Sequence, residues 1–201
     1  MASEVDIANL ALGHLGDDAN VASFDPPEGS PQAAHCARFY PIARDTMLEM
    51  HPWSFATTTA ALAPLGDPPS EWFYSYALPT DCLKPLSTYT LGYRLGLDAQ
   101  PFELESTADG QPVIFTNCDA GMLRYVRRVA DPTRFSPLFT EALSWLLASM
   151  LAGPVIKGDT GTAAGTAAYK VFLMRFGEAA RVDANKSRIR LDPVAPWIVA
   201  R

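Results

Sequence analysis

The residues whose types could do chemistry are few, and the most conspicuous group sits in the stretch "RDTMLEMHPWSFA", residues 44–56. His51 is a general base by type, and Arg44 and Asp45 precede it by about two helical turns. Base catalysis needs a nucleophile or carboxylate within hydrogen-bond reach, and no local motif supplies one. Pro52 suggests a different role. Its ring disfavours α geometry at the residue before it, so the helix stops and His51 becomes a cap and hinge. Trp53 and Phe55, two apart, then share one face of the strand expected to follow. Pro41, His51, Pro52 and Trp53 are therefore the expected structural hinge, and no catalytic residue is expected among them.

Other candidates are weaker. "KGDTGTAAGTAAYK" is Gly-rich, but it lacks the GK[ST] ending and the preceding strand of a phosphate loop, so its Gly161/Gly165 spacing predicts close helix packing. No GxSxG, HExxH or Walker A pattern occurs. The acid pairs Asp17-Asp18 and Glu103/Glu105 fall in a loop and on a strand face, where solvation is the default. Arg124, Arg127 and Arg128 in "RYVRRV" are candidates for an anionic contact, for inter-subunit ion pairs or for an ordinary solvated face. Cys36, Cys82 and Cys118 are widely separated, with no CxxC and no His pair at ligand spacing. They are expected to be buried free thiols of a reducing compartment, and no metal or cofactor is expected.

Elements must position these residues. Ser3 and Asp6 form a capping box before the helical spacing of Ile7, Leu10, Ala11 and Leu15, with Gly16 at the C′ position, which predicts a first helix over about 4–15. His14 falls in its last turn, where a cation favours the helix dipole. Ser30 and Pro31 start a second helix running to about His51, with apolar residues on both sides. Pro41 lies inside it and forfeits the hydrogen bond to the Ala37 carbonyl, so a kink is expected there. "EWFYSYALP", "LSTYTLGYRL", "PFELES", "PVIFTN" and "LRYVRRVA" then read as β-prone runs, with Asp109-Gly110 as the clearest hairpin turn. Residues 53–130 are expected to form one antiparallel sheet. "PLFTEALSWLLASMLAGP" returns to helix, with an end expected at Gly153-Pro154, and a further helix spans about 160–182.

The expected fold is α+β: a four-helix bundle of two N-terminal and two C-terminal helices (1–52 and 131–183), an inserted antiparallel β subdomain (53–130) and an extended C-terminal arm (184–201). In the arm "ANKSRIRLDPVAPWIVAR", Arg188, Arg190, Trp197 and Ile198 are candidate partner-docking residues, because an apolar cluster at the end of a polar tail marks a contact.

Composition sets outer limits. The 201 residues are 48% hydrophobic and 19% charged, which suits one folded core. A net charge of −6 disfavours gripping nucleic-acid phosphates, which requires Lys and Arg to displace counterions. The N-terminal stretch "MASEVDIANLALGHLG" has no basic region followed by a long apolar one, so maturation inside a cell is expected. "LFTEALSWLLASMLAGPVI" is interrupted by Glu141, serines and Gly-Pro, and is expected to be a buried helix rather than a membrane span.

Four segments in order, "IANLALGHLG", "FYPIARDTMLEMHPWSFA", "YALPTDCL" and "FTEALSWLLASMLAGPVI", the last followed by a Tyr-bearing helix, resemble the head-to-tail adaptor proteins of short-tailed bacteriophages, the tail tubular protein A family. The resemblance spans most of the chain. It implies a structural virion protein without enzymatic activity, assembled in the host cytoplasm into a dodecameric ring. Its implied partners are the portal protein ring, the tail nozzle protein and further copies of itself, with genomic DNA passing through the channel unread and no membrane involved. Two other classes fit less of the sequence. A small hydrolase or transferase would work around His51, Asp45 and Arg44, and a ligand-binding β module would use the aromatic-rich "EWFYSYALP".

Overall fold

The computed structural model describes residues 2–66, 68–69, 71–90, 99–107 and 109–186. Helix α1 (Glu4–His14) starts at the capping box: Ser3 Oγ accepts from the Asp6 amide at 3.1 Å, and the Ser3 amide donates to Asp6 Oδ2 at 2.8 Å. Helix α2 (Pro31–Met50) starts where Ser30 Oγ accepts from the Ala33 amide at 3.1 Å. It runs on through Pro41, which sits on the exposed side, where water can reach the carbonyl that the proline leaves without a donor. One stripe of α2 is buried, from Ala33 through Tyr40 to Leu48, and Phe39 and Met50 pack partly against the same core, while Ile42 is exposed.

Helix α3 (Pro137–Ile156) is capped by Ser136 and continues through Gly153-Pro154, where the sequence predicts its end. The reversal comes at Lys157, with a φ of 64°, and helix α4 (Gly158–Ala184) begins at the next residue. The two helices pack back to back because Gly161 and Gly165 permit it: a Cβ at Gly161 would lie 2.9 Å from the Ala152 carbonyl oxygen, and one at Gly165 3.0 Å from that of Ser149.

The four-helix bundle is not formed. Helix α3 is the hub on which α1, α2 and α4 each pack, and all the described strands fall between α2 and α3. Two features of the chain explain this. First, α3 is apolar around most of its circumference, burying Phe139, Ala142, Leu143, Leu146, Leu147, Ala148, Leu151 and Ala152, so three neighbours enclose it. Second, α1 has only 11 residues, about 16 Å, too short to line helices of 20 and 27 residues, and α2 divides its apolar face between α3 and the strands. By length and a mean hydropathy of 1.4, α3 could also cross a membrane; here it is a core helix.

The β region is two antiparallel sheets rather than one. Strands β1 (Thr57–Ala61), β7 (Gly121–Arg127) and β4 (Cys82–Thr90) lie in the order β1-β7-β4; β2 (Ala63–Pro64), β3 (Tyr74–Ala77), β6 (Pro112–Thr116) and β5 (Phe102–Ser106) lie in the order β2-β3-β6-β5. The β5–β6 connection turns at Asp109-Gly110, where Gly110 takes a φ of 77°. Alternation along β7 makes the first sheet the middle layer. Val126 joins the helical core, whereas Leu123 and Tyr125 point the other way and meet Leu62, Tyr76 and Ile114 in a second, smaller core. Gly121 has no room for a side chain, since a Cβ there would come within 3.0 Å of the Tyr76 ring.

Candidate functional site

The α2–β1 corner is where the hinge residues gather. His51 is extended (φ −144°, ψ 142°), so α2 ends and its last carbonyls need donors from outside the helix. Trp53 supplies one: its side chain is fully buried and its indole N–H donates to the Met47 carbonyl at 2.8 Å. Lys84 Nζ supplies another, to the Glu49 carbonyl at 3.2 Å. Trp53 and Phe55 do not begin a strand. Residues 54–56 form a turn in which the Ala56 and Thr57 amides donate to the Trp53 carbonyl at 3.0 and 2.8 Å, and β1 starts only at Thr57. The aromatic rings of both still converge on Phe139, with centroids at 4.9 and 5.1 Å, which fixes the corner to α3.

A cavity of about 410 Å³ opens at this corner, lined by His51, Ser54, Thr57–Thr59, Arg124 and the end of α4. Asp183, only 5% exposed, is among the residues that line it. The carboxylate accepts from the Ser54 amide at 2.7 Å, from the Ser54 hydroxyl at 2.7 Å and from Lys186 at 3.2 Å, and His51 Nε2 stands 3.6 Å away. Burial pushes the Asp183 carboxyl up, but these donors outweigh it and hold it below its ordinary value. Burial also holds the His51 imidazole below its ordinary value, against the pull of Asp183.

The order of these groups decides what they do. In a Ser-His-Asp triad the imidazole stands between hydroxyl and carboxylate and takes the hydroxyl proton. Here the carboxylate stands between, and the single Ser54 hydroxyl proton points at Asp183. The arrangement ties the last turn of α4 to the α2–β1 corner. Sequence reasoning supplied no carboxylate partner for His51, because Asp183 lies 129 residues beyond Ser54 and nothing local marks it.

The three arginines separate. Arg124 lines the corner cavity. Arg127 ends β7, its amide donating to the Ala56 carbonyl at 2.9 Å. Arg128 pairs with Asp45 at 2.9 Å, and Arg44 binds the other oxygen of the same carboxylate at 2.9 Å, so Asp45 serves two guanidinium groups and not His51. Arg188, Arg190, Trp197 and Ile198 lie outside the described residues. The three cysteines are free; burial raises the Cys36 and Cys82 thiols to about 11. The described residues bring no three metal-binding side chains together.

A second hollow, of about 510 Å³, lies between α1 and the start of α3, with Leu10, Phe135 and Pro137 as its apolar walls. His14 forms one end, stacked on Trp145 with centroids 3.7 Å apart, and its Nε2 is 3.0 Å from Ser144 Oγ. The Ser144 hydroxyl also lies 2.8 Å from the Glu141 carbonyl, which accepts from it. Burial holds His14 below its ordinary value. No protein-family model matches the chain, and no curated protein matches it.

Proposed function

We propose that this chain is a structural subunit of a short-tailed phage virion: a head-to-tail adaptor that forms a ring between the portal and the tail nozzle and surrounds the DNA path. The observation that carries this reading is the outer side of α4, the longest helix. There Tyr169, Leu173 and Met174 are 45%, 46% and 63% exposed, three large apolar side chains around Lys170 on the side turned from α3. A chain built to pack against other subunits leaves such a face open. The net charge of −6 suits a channel wall that lets DNA slide, because few counterions would be released on contact. The corner at His51, Trp53 and Asp183 then works as a brace, holding α2, the first sheet and α4 in one rigid unit.

The reading is tested in the virion itself. Purified particles should carry the chain at the neck in the copy number of a ring, and heads made without it should fail to attach tails. Tails that attach normally in its absence contradict the proposal. Removal of residues 185–201 should reduce assembly on the portal; full assembly without them would exclude the arm, with Trp197 and Ile198, as a docking element.

A further inference from the structure

The corner cavity holds a cation that no acid neutralises among the described residues. The ionisable groups that line it are His51, Arg124 and Asp183. Asp183 is met by Lys186 and by both donors of Ser54, and the His51 imidazole, held below its ordinary value and so neutral near pH 7, faces the same carboxylate. The carbonyl ends of α2 and α4 border the cavity with partial negative charge, but Lys84 caps the first, and the Asn185 and Lys186 amides close the second. Arg124 is left over. It is half-buried and enters no ion pair among the described residues. A partly desolvated guanidinium without a counterion favours an anion beside it.

The strand register supplies further donors. Thr59 stands opposite Arg124 across β1 and β7, and both lie on the sheet face that Val126 turns to the helical core. The Arg127 amide donates to the Ala56 carbonyl and the Leu62 amide to the Gly121 carbonyl, so between them Thr58 and Ala60 direct their main-chain groups at β7. Thr59 and Arg124 are then one of the closer, non-hydrogen-bonded pairs, and the Thr59 amide points out from the free edge of β1. Three consecutive residues, Thr57–Thr59, line the cavity, which a strand does where its edge is open. The Thr57 amide and hydroxyl are spent on the Trp53 carbonyl; those of Thr59 remain. We propose that this cavity is a binding site for an oxyanion, a phosphate or carboxylate group gripped by the Arg124 guanidinium and by the Thr59 N–H and O–H. At about 410 Å³ it has room for a small molecule that carries the group. The site belongs to the single chain and needs no ring.

Amide NMR of the full chain tests this, with sodium phosphate and sodium acetate titrated separately against sodium chloride at equal ionic strength. The Thr59 amide and its neighbours at the corner should shift saturably at millimolar anion. Phosphate acting alone assigns the site to phosphorylated ligands, acetate acting alone to carboxylates, and both acting to either. Arg124→Gln should weaken the binding more than about tenfold, and Arg124→Lys, which keeps the charge but loses the planar fork, should fall between. Melting temperatures in chloride alone check that the variants fold; if Arg124→Gln does not, Arg124→Lys and the wild-type shift map decide. No saturable shift at Thr59 with either anion, shifts that gather elsewhere on the chain, or folded Arg124 variants that bind as tightly as the wild type would each overturn the site.

Discussion

At the scale of single residues, Asp183 is the sharpest case of a side chain whose role comes from distant partners. Asp183→Ala would remove the acceptor of the Ser54 amide and hydroxyl; Ser54 itself is exposed, so water replaces part of the loss and the cost should be about 0.5–1.5 kcal/mol. For a chain of this size that lowers the melting temperature by several degrees, and differential scanning calorimetry should show it. Asp183→Asn keeps an acceptor and should lose less. The histidines give a pH test. Both His14 and His51 are held below the ordinary value in the folded chain, so the unfolded chain binds more protons. Stability is thus greatest with both neutral and is lost as the pH falls below about 6.5. The loss between about pH 7 and pH 5.5, measured by urea denaturation, should shrink in a variant carrying His14→Gln and His51→Gln. Asp183, held low, adds stability above about pH 4 that disappears on stronger acidification.

At the scale of elements, the local signals were the legible ones. The caps at Ser3 and Ser30 start helices, and the hairpin turn at Asp109-Gly110 joins β5 to β6, because a cap or a tight turn is decided by a few adjacent residues. Gly153-Pro154 misled for a physical reason. A proline stops a helix when its neighbours have better partners elsewhere, but α3 is held by packing on three sides, which outweighs one missing hydrogen bond. Trp53 and Phe55 likewise form part of a turn rather than a strand, because the Trp53 carbonyl collects the amides that follow it. The α3–α4 seam carries its own prediction. Gly161→Val would drive a branched side chain into the Ala152 carbonyl, where even a Cβ finds only 2.9 Å, and should cost about 1–3 kcal/mol in chemical denaturation. Thr162→Val, at the next position but on the exposed side of the same helix, should cost less than about 0.5 kcal/mol.

At the scale of the whole molecule, the same apolar surplus that defeats a four-helix bundle makes the layered arrangement. Helix α3 takes three helical neighbours, the first sheet covers part of α2, and the second sheet covers the far face of the first. Sequence patterns show which faces are apolar but not which face meets which, so the two sheets and the hub position of α3 were not readable from them. The openness of Leu173 and Leu10 was hidden for a related reason: both look like core residues in a sequence, and only the packed chain leaves them open to solvent. The central claim is that this openness serves a ring at the head–tail junction. The measurement that tests it most directly is the native mass of the purified chain, alone and after mixing with portal rings of the same virus. The account predicts stoichiometric loading onto the portal ring as a complete ring of subunits; a chain that remains monomeric and never associates with the portal contradicts it.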